Sequence, residues 1–217
     1  MINKLFDLLD DWRYLPAYQL ERRADIFFAI HLETILDKLR GIKADVIIPE
    51  FPVRIGEIPD NHSNLNLSYK IDYLVYSKSA QKVLLIELKT DQLSLRDKQK
   101  KYLESAAKIK VGGLLNGLKK IYAATSQKVK YDNLLKRLED VEWIRRVDNS
   151  FEVTEPGLEP EVIYILPANP KGEPNVITFD DIIKALEGAD NPLTIRFTES
   201  LVKWKMDTNK KRQDSPE

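Results

Sequence analysis

The chain has 217 residues, with 34 Lys plus Arg against 34 Asp plus Glu, so its formal net charge is zero. That balance argues against holding a polyanion by bulk charge alone, because neutralisation of phosphates by a basic surface supplies most non-specific affinity for nucleic acid. With no cysteine, disulfides, a thiolate nucleophile and cysteine-ligated zinc are excluded, and no run of about 18 apolar residues marks a membrane span.

The composition is that of an ordinary globular chain, and one domain over residues 1–206 is expected, followed by a flexible polar tail, 207–217. Residues 1–11 alternate acids with apolar side chains and lack the basic start and uninterrupted apolar core of a signal peptide, so a cytoplasmic setting is expected.

Residues 2–10 read as a short amphipathic helix ended near Pro16. A longer helix follows to about Leu39, because Leu20, Ala24, Phe27, Phe28, Leu32, Ile35, Leu36 and Leu39 recur at threes and fours and Gly41 supplies a stop. Glu21 and Asp25 border that apolar stripe, whereas Glu33 falls on the solvated side. A first-turn acid such as Glu21 also complements the helix dipole. His31 sits among apolar neighbours and reads as a core histidine, and His62, in a turn, has no better claim as a ligand. Residues 44–55 make a strand whose prolines place it at an edge or a bulge, and a polar loop, 59–68, leads onward.

Residues 71–76 and 83–88 are rich in Ile, Leu, Val and Tyr, and the polar segment 77–82 between them has the chemistry of a hairpin loop. A turn centred between Ser79 and Ala80 sets Asp72 opposite Glu87. Strand alternation then gives Glu87 and Lys89 a common face, with Leu88 turned away. Like charges directly opposed on a sheet destabilise it by a few tenths up to about 1 kcal/mol, and a bound cation reverses that cost. Hard divalent ions such as magnesium take one or two carboxylates with water and substrate phosphate, and a neighbouring lysine could supply positive charge to a phosphate oxygen. The plain alternative is that Glu-x-Lys is the solvent face of an edge strand, where charge prevents sheet-to-sheet pairing.

Beyond Asp91, residues 94–108 read as a helix with Leu95, Gln99, Tyr102, Leu103 and Ala106 inward and Lys101, Glu104 and Lys108 outward. Two further helices are expected, at about 113–124 and 128–141. Residues 96–137 carry twelve basic residues against three acids, a local excess of nine that either faces a polyanion or forms a solvated helical surface. Residues 162–166 form a continuous apolar run that reads as a buried central strand. A turn-rich connector, 167–174, precedes a helix over 178–186 capped by Thr178. Residues 193–197 are read as a last strand.

A helix bearing Glu21, a strand, a hairpin with Asp72 and then Glu87-Leu88-Lys89, a helix with Gln99 and Tyr102, and a later buried strand together resemble the PD-(D/E)XK nuclease superfamily. The likeness covers residues 18–110 and, more loosely, 162–166. It implies an α/β fold with a restriction-endonuclease-like mixed β-sheet core flanked by α-helices. It also implies a Mg²⁺-dependent nuclease that hydrolyses DNA phosphodiester bonds, with Mn²⁺ able to substitute. By this resemblance Asp72, Glu87 and the Leu88 backbone carbonyl would ligate the metal, and Lys89 would orient the water and offset charge on the phosphate. Glu21 matches the family's helical acid, a further candidate for the metal, and Gln99 and Tyr102 look like residues of exonuclease branches that contact substrate or the active site. Ile71 stands where the family has proline, and the Gln-to-Tyr spacing is three rather than four. DNA would meet the basic region 96–137. The resemblance leaves oligomeric state open, with a homodimer as one expectation, since enzymes of this fold that make double-strand cuts often pair two sites. Two other readings stay open: a catalytically inactive nuclease-like module that binds nucleic acid or protein, and a helical interaction protein whose hairpin charges are surface decoration.

Overall fold

A computed structural model of the chain describes residues 1–57, 68–91, 95–155 and 157–213. His62, most of the loop 59–68 and Ser94 lie outside the described residues. The elements run α1 (Ile2–Trp12), α2 (Leu20–Arg40), β1 (Val46–Arg54), a 3-10 turn (Ile55–Glu57), β2 (Ser68–Ser77), β3 (Lys82–Leu88), α3 (Asp97–Lys108), α4 (Lys110–Ala124) and α5 (Lys128–Asp140). They continue with β4 (Ile144–Val147), β5 (Ser150–Val153), β6 (Pro160–Leu166), β7 (Val176–Thr178), α6 (Phe179–Ala185) and α7 (Pro192–Gln213). The chain is mixed α/β, with a five-stranded mixed sheet in the order β1-β2-β3-β6-β7 and flanking helices. Among the described residues no helix is long and apolar enough to cross a membrane. Two compact units are built from discontinuous segments: Met1–Lys43, Leu88–Arg96 and Ile163–Glu217 form the first, Ala44–Glu87 and Asp97–Val162 the second.

The first unit packs α1, α2, α6 and α7 around an aromatic core. Phe27 is 4.5 Å from Phe6, and Phe28 meets Phe197 edge-on at 5.1 Å and Phe179 at 5.7 Å, centroid to centroid. Burying such rings supplies most of the driving force, and tilted or edge-to-face pairs add about 0.5–1.5 kcal/mol each. The helix boundaries follow local chemistry. Gly41 ends α2 in the left-handed region at φ 64°, where its N–H returns to the Asp37 carbonyl, a conformation that costs a side-chain-bearing residue more than glycine. Thr178 caps α6 in a reciprocal capping box with Asp181, as its position in the sequence suggested.

The strand expected over residues 193–197 is not there, because this segment is the first turn and a half of α7. Pro192 suits a first helical position, the Asn191 side-chain oxygen accepts the Leu193 N–H at 2.8 Å, and Thr194, Phe197, Leu201 and Trp204 are buried at helical spacing. The short apolar run has no periodicity of its own, and only its continuation to Trp204 separates helix from strand. Helix α7 is also bolted to α1. Arg196, 6% exposed, donates to Asp7 at 2.7 Å and Asp10 at 2.9 Å, and Asp10 also accepts from the Trp204 indole and from Lys203.

The second unit holds the antiparallel strands β1, β2 and β3 with α3, α4 and α5. Helix α4 lies against β1 and β5, and α5 against β1 and β4. Strand β1, with Pro49 and Pro52, is at the sheet edge, where a missing N–H is harmless. The β4–β5 hairpin went unread in the sequence, although its two-residue Asp148-Asn149 turn carries a signal: Asp148 has φ 47°, a conformation that Asp and Asn tolerate.

Candidate functional site

The β2–β3 hairpin has the register its turn demands. Tyr73 pairs with Ile86, Leu74 with Leu85, Val75 with Leu84, Tyr76 with Val83 and Ser77 with Lys82. The four-residue loop is held from both sides, because Asp45 accepts the Lys78 N–H at 2.6 Å and the Gln81 amide donates to the Tyr76 hydroxyl at 3.0 Å and to the Lys78 carbonyl at 2.8 Å. One further step of the same register sets Asp72 opposite Glu87. Residues so opposed have Cβ atoms about 4.5–5.5 Å apart on a common face. The hairpin charges therefore share one face of the sheet.

The environment of this pair is not that of a solvated edge. Glu87 is 2% exposed and Asp72 half-buried. Glu87 Oε1 accepts a hydrogen bond from Gln99 Nε2 on α3, so the polar residue in the inward stripe of that helix is aimed at the strand acid. A buried carboxylate needs such donors, because desolvation otherwise penalises its charge.

Tyr102, one turn beyond Gln99, has a different task. Its hydroxyl donates to the Val53 carbonyl of β1 at 3.3 Å, and its ring lies 4.1 Å from Tyr69, centroid to centroid. Burial, with the neighbouring Tyr69 adding to it, raises the phenol far above its ordinary value and keeps it a neutral donor. This places Tyr102 as a strut between α3 and β1. Tyr69, at the start of β2, was not singled out in the sequence, since an exposed strand tyrosine carries no local signal.

A second unread residue is Glu50. Between Pro49, which pairs with Tyr73, and Phe51, which pairs with Ile71, it falls opposite Asp72. Its φ of 53° is rare for a residue with a side chain in a strand. Its carboxylate is exposed and pairs with Lys70 at 2.7 Å.

The first unit contributes the lysine and the helical acid. Lys89 is 6% exposed, directly after β3, and its N–H donates to the Ile165 carbonyl of β6 at 2.9 Å. Its ammonium donates to Glu21 Oε1 at 3.0 Å and to the Leu88 carbonyl at 2.9 Å. Glu21 stands in the first turn of α2, the position that complements the helix dipole, and it is also the partner of a charge 68 positions away. The structure thus brings Glu21, Leu88 and Lys89 together in one unit, and Asp72, Glu87 and Gln99 in the other.

Asp72 and Glu87 are oxygen donors of the type a hard cation takes. Carboxylates and a main-chain carbonyl are the oxygen ligands that magnesium takes, with water and substrate completing its shell. Among the described residues, no three His, Cys, Asp or Glu side chains converge into a metal-binding group. His31 is not part of any such set. It is buried against Phe197 with its ring stacked at 5.2 Å, its Nε2 has no hydrogen-bond partner, and burial pushes its pKa down.

The basic region is partly spent on the fold itself. Lys120 pairs with Glu57 at 2.7 Å, Lys110 with Glu159 at 2.8 Å, and Lys128 donates to the Tyr122 carbonyl with its ammonium 4.2 Å from the Tyr122 ring centroid. Burial pushes the Glu57 carboxyl up, but hydrogen bonds and charge from Lys120 and Arg54 prevail and hold it below its ordinary value. Lys101, Lys108, Lys130, Lys136 and Arg137 stand exposed on α3, on α5 and at their ends. Comparison with protein-family models, curated proteins and solved structures gives no match for this chain.

Proposed function

We propose that the chain is a magnesium-dependent nuclease of the PD-(D/E)XK kind, with a restriction-endonuclease-like core, acting on DNA. The observation that carries this reading is the hairpin register, which gives Asp72 and the buried Glu87 a common face two residues before a buried lysine. A buried acid and a buried ammonium are costly to a fold, and groups of this kind cluster where chemistry needs them.

In this reading Asp72 and Glu87 hold the ion, with the Leu88 carbonyl as a further oxygen. Magnesium held there would supply polarisation of a phosphoryl oxygen and a nucleophilic water at neutral pH. Gln99 orients the Glu87 carboxylate through its amide hydrogen bond. Lys89 offsets charge that develops on the phosphate oxygens, since a preorganised cation in a water-poor site is worth more than one in solvent. Glu21 holds that lysine in place through its 3.0 Å ion pair. The exposed lysines of α3 and α5 meet the phosphate backbone, which positions the strand without reading its sequence.

The test is cleavage of circular and linear, single- and double-stranded DNA with and without Mg²⁺ or Mn²⁺, with Asp72→Ala, Glu87→Ala and Lys89→Ala as paired controls. Metal-dependent cutting that each substitution abolishes is the expected result, and the circular substrate separates internal from end-directed action. Wild-type cutting by any of the three variants, or none by the parent protein with either ion, overturns the assignment. The second of these outcomes moves the chain to a non-catalytic module.

A further inference from the structure

Helix α2 faces the aromatic core of the first unit with Phe27, Phe28, His31 and Leu32. Its opposite side is not uniformly polar. Ile26 and Ile30, one turn apart, are 56% and 55% exposed. At 3.6 residues per turn they share an arc of about 100° with Arg22, Arg23, Glu33 and Asp37, all of them exposed. The two arginines stand in the first turn of the helix and Asp37 in the last, the ends where the helix dipole disfavours charges of those signs. An exposed isoleucine gains nothing from burial, and its branched Cβ makes it a poorer helix former than Ala, Lys or Glu. Nothing local therefore explains this face.

We propose that the outer face of α2 is a two-fold interface with a second copy of this chain, the two α2 helices packing antiparallel through Ile26 and Ile30. The inference stands apart from the nuclease reading, and either can fail without the other.

The charge pattern identifies the occupant. Along this arc the basic residues precede the isoleucine pair and the acidic residues follow it. An antiparallel copy reverses that order. Laying Ile26 on the partner's Ile30 puts the two-fold axis level with Phe28, which sets Arg23 level with the partner's Glu33 and Arg22 between the partner's Glu33 and Asp37. Each contact then occurs twice, as an isologous interface requires. A parallel copy would oppose like charges instead, an arrangement that suppresses association. The charges are also available: among the described residues Arg22, Glu33 and Asp37 make no ion pair within the chain, and the Arg23 guanidinium lies 5.0 Å over the Tyr18 ring. Arg40, on the same side, is engaged with the Pro174 and Val176 carbonyls and takes no part. Helix α1, which packs on α2 through Phe6 and Phe27, carries two more exposed apolar side chains, Ile2 and Leu5. Burying apolar surface of this kind drives association, and the flanking charges fix its register.

The experiment uses the full chain. Sedimentation equilibrium over about 1–100 μM, which spans a micromolar dissociation constant, gives the mass of the parent protein and of four variants. These are Ile26→Lys with Ile30→Lys, Arg23→Glu, Glu33→Arg, and the exchange of both charges, Arg23→Glu with Glu33→Arg. All four positions are exposed, and thermal denaturation establishes that each variant is folded. Because the chain has no cysteine, Lys38→Cys accepts a single nitroxide label, and pulsed dipolar spectroscopy then reads the separation of the two copies. Lys38 is ten positions beyond Phe28, so antiparallel helices set the two labelled positions about 30 Å apart. Parallel helices would set them about 10 Å apart. The expected result is a dimeric parent with the longer separation and a monomeric double-lysine variant. Either single charge reversal weakens the dimer on the order of tenfold, and the exchange recovers it. A parent protein monomeric throughout this range overturns the proposal and leaves the face to a different partner. A dimer that survives the double-lysine substitution, a separation near the shorter value, or an exchange no tighter than the single reversals overturns it equally.

Discussion

Asp10 is a sharp test of how the first unit is held together. Its carboxylate, 12% exposed, accepts from the Arg196 guanidinium at 2.9 Å, the Trp204 indole at 2.9 Å and the Lys203 ammonium at 2.7 Å. In Asp10→Ala the indole N–H of Trp204, itself 1% exposed, loses the Asp10 carboxylate as an acceptor, which costs up to about 1–3 kcal/mol. The charge-assisted bond to Arg196 is worth about 1.5–3 kcal/mol, but Arg196 keeps Asp7 and Ser200, so no buried charge is orphaned. Lys203 is half exposed and adds about 0–1 kcal/mol. Against these losses stands the relief of desolvating a carboxylate, and the net expectation is a destabilisation of about 3 kcal/mol. For a chain of this size that lowers Tm by roughly 6–12 °C.

The same residue predicts an acid dependence. Burial pushes the Asp10 carboxyl up, but hydrogen bonds from Lys203, Arg196 and Ser200 prevail and hold it below its ordinary value. A carboxyl depressed in the folded state contributes stability above its unfolded pKa of about 3.9 and loses it as pH falls through the lower folded value. Urea denaturation followed by far-UV circular dichroism at pH 7 and again below pH 4 checks both parts. Asp10→Asn should cost less than Asp10→Ala at pH 7, because its amide oxygen still accepts from Trp204, and the gap between parent and Asp10→Asn should shrink in acid. A loss under about 1 kcal/mol for Asp10→Ala, or equal losses for the two variants, would refute this account of the α1–α7 junction.

Two further outcomes are expected from local features. His31 is kept neutral by burial, so its contribution to stability is complete above the unfolded value of about 6.5 and is lost as pH falls below it, at no more than about 1.4 kcal/mol per pH unit; the pH slope of urea midpoints between pH 7 and 5 should flatten in His31→Phe, and an unchanged slope would exclude His31 as its source. Thr178→Ala removes the side-chain cap of α6 and should cost about 1 kcal/mol in the same assay, with Thr178→Ser close to the parent. Equal losses in the two would mean the hydroxyl is not the cap.

What the chain alone determined is what short-range chemistry controls. The end of α2 at Gly41, the cap of α6 at Thr178 and the edge position of the proline-bearing strand β1 each depend on a few consecutive residues, and each was legible. The opposition of Asp72 and Glu87 belongs to the same class, because a hairpin loop of known length sets every pairing above it. The inward aim of Gln99 and the burial of Tyr102 followed from helical periodicity, but their partners did not: Glu87 for the first and Val53 for the second come from other elements.

Only the tertiary structure decided the rest. Residues 193–197 are equally apolar as strand or helix, and burial of Thr194, Phe197, Leu201 and Trp204 along one face of α7 resolves them as helix. The β4–β5 hairpin is four residues a side, too short for alternation to stand out, and its strands lie against α5 and α4. Glu21 could be read as a dipole-complementing acid or as part of a site from sequence, and only the fold shows that it meets Lys89. A side chain's type and periodicity are written locally, whereas the charge it meets across 68 positions depends on how several helices and strands pack at once.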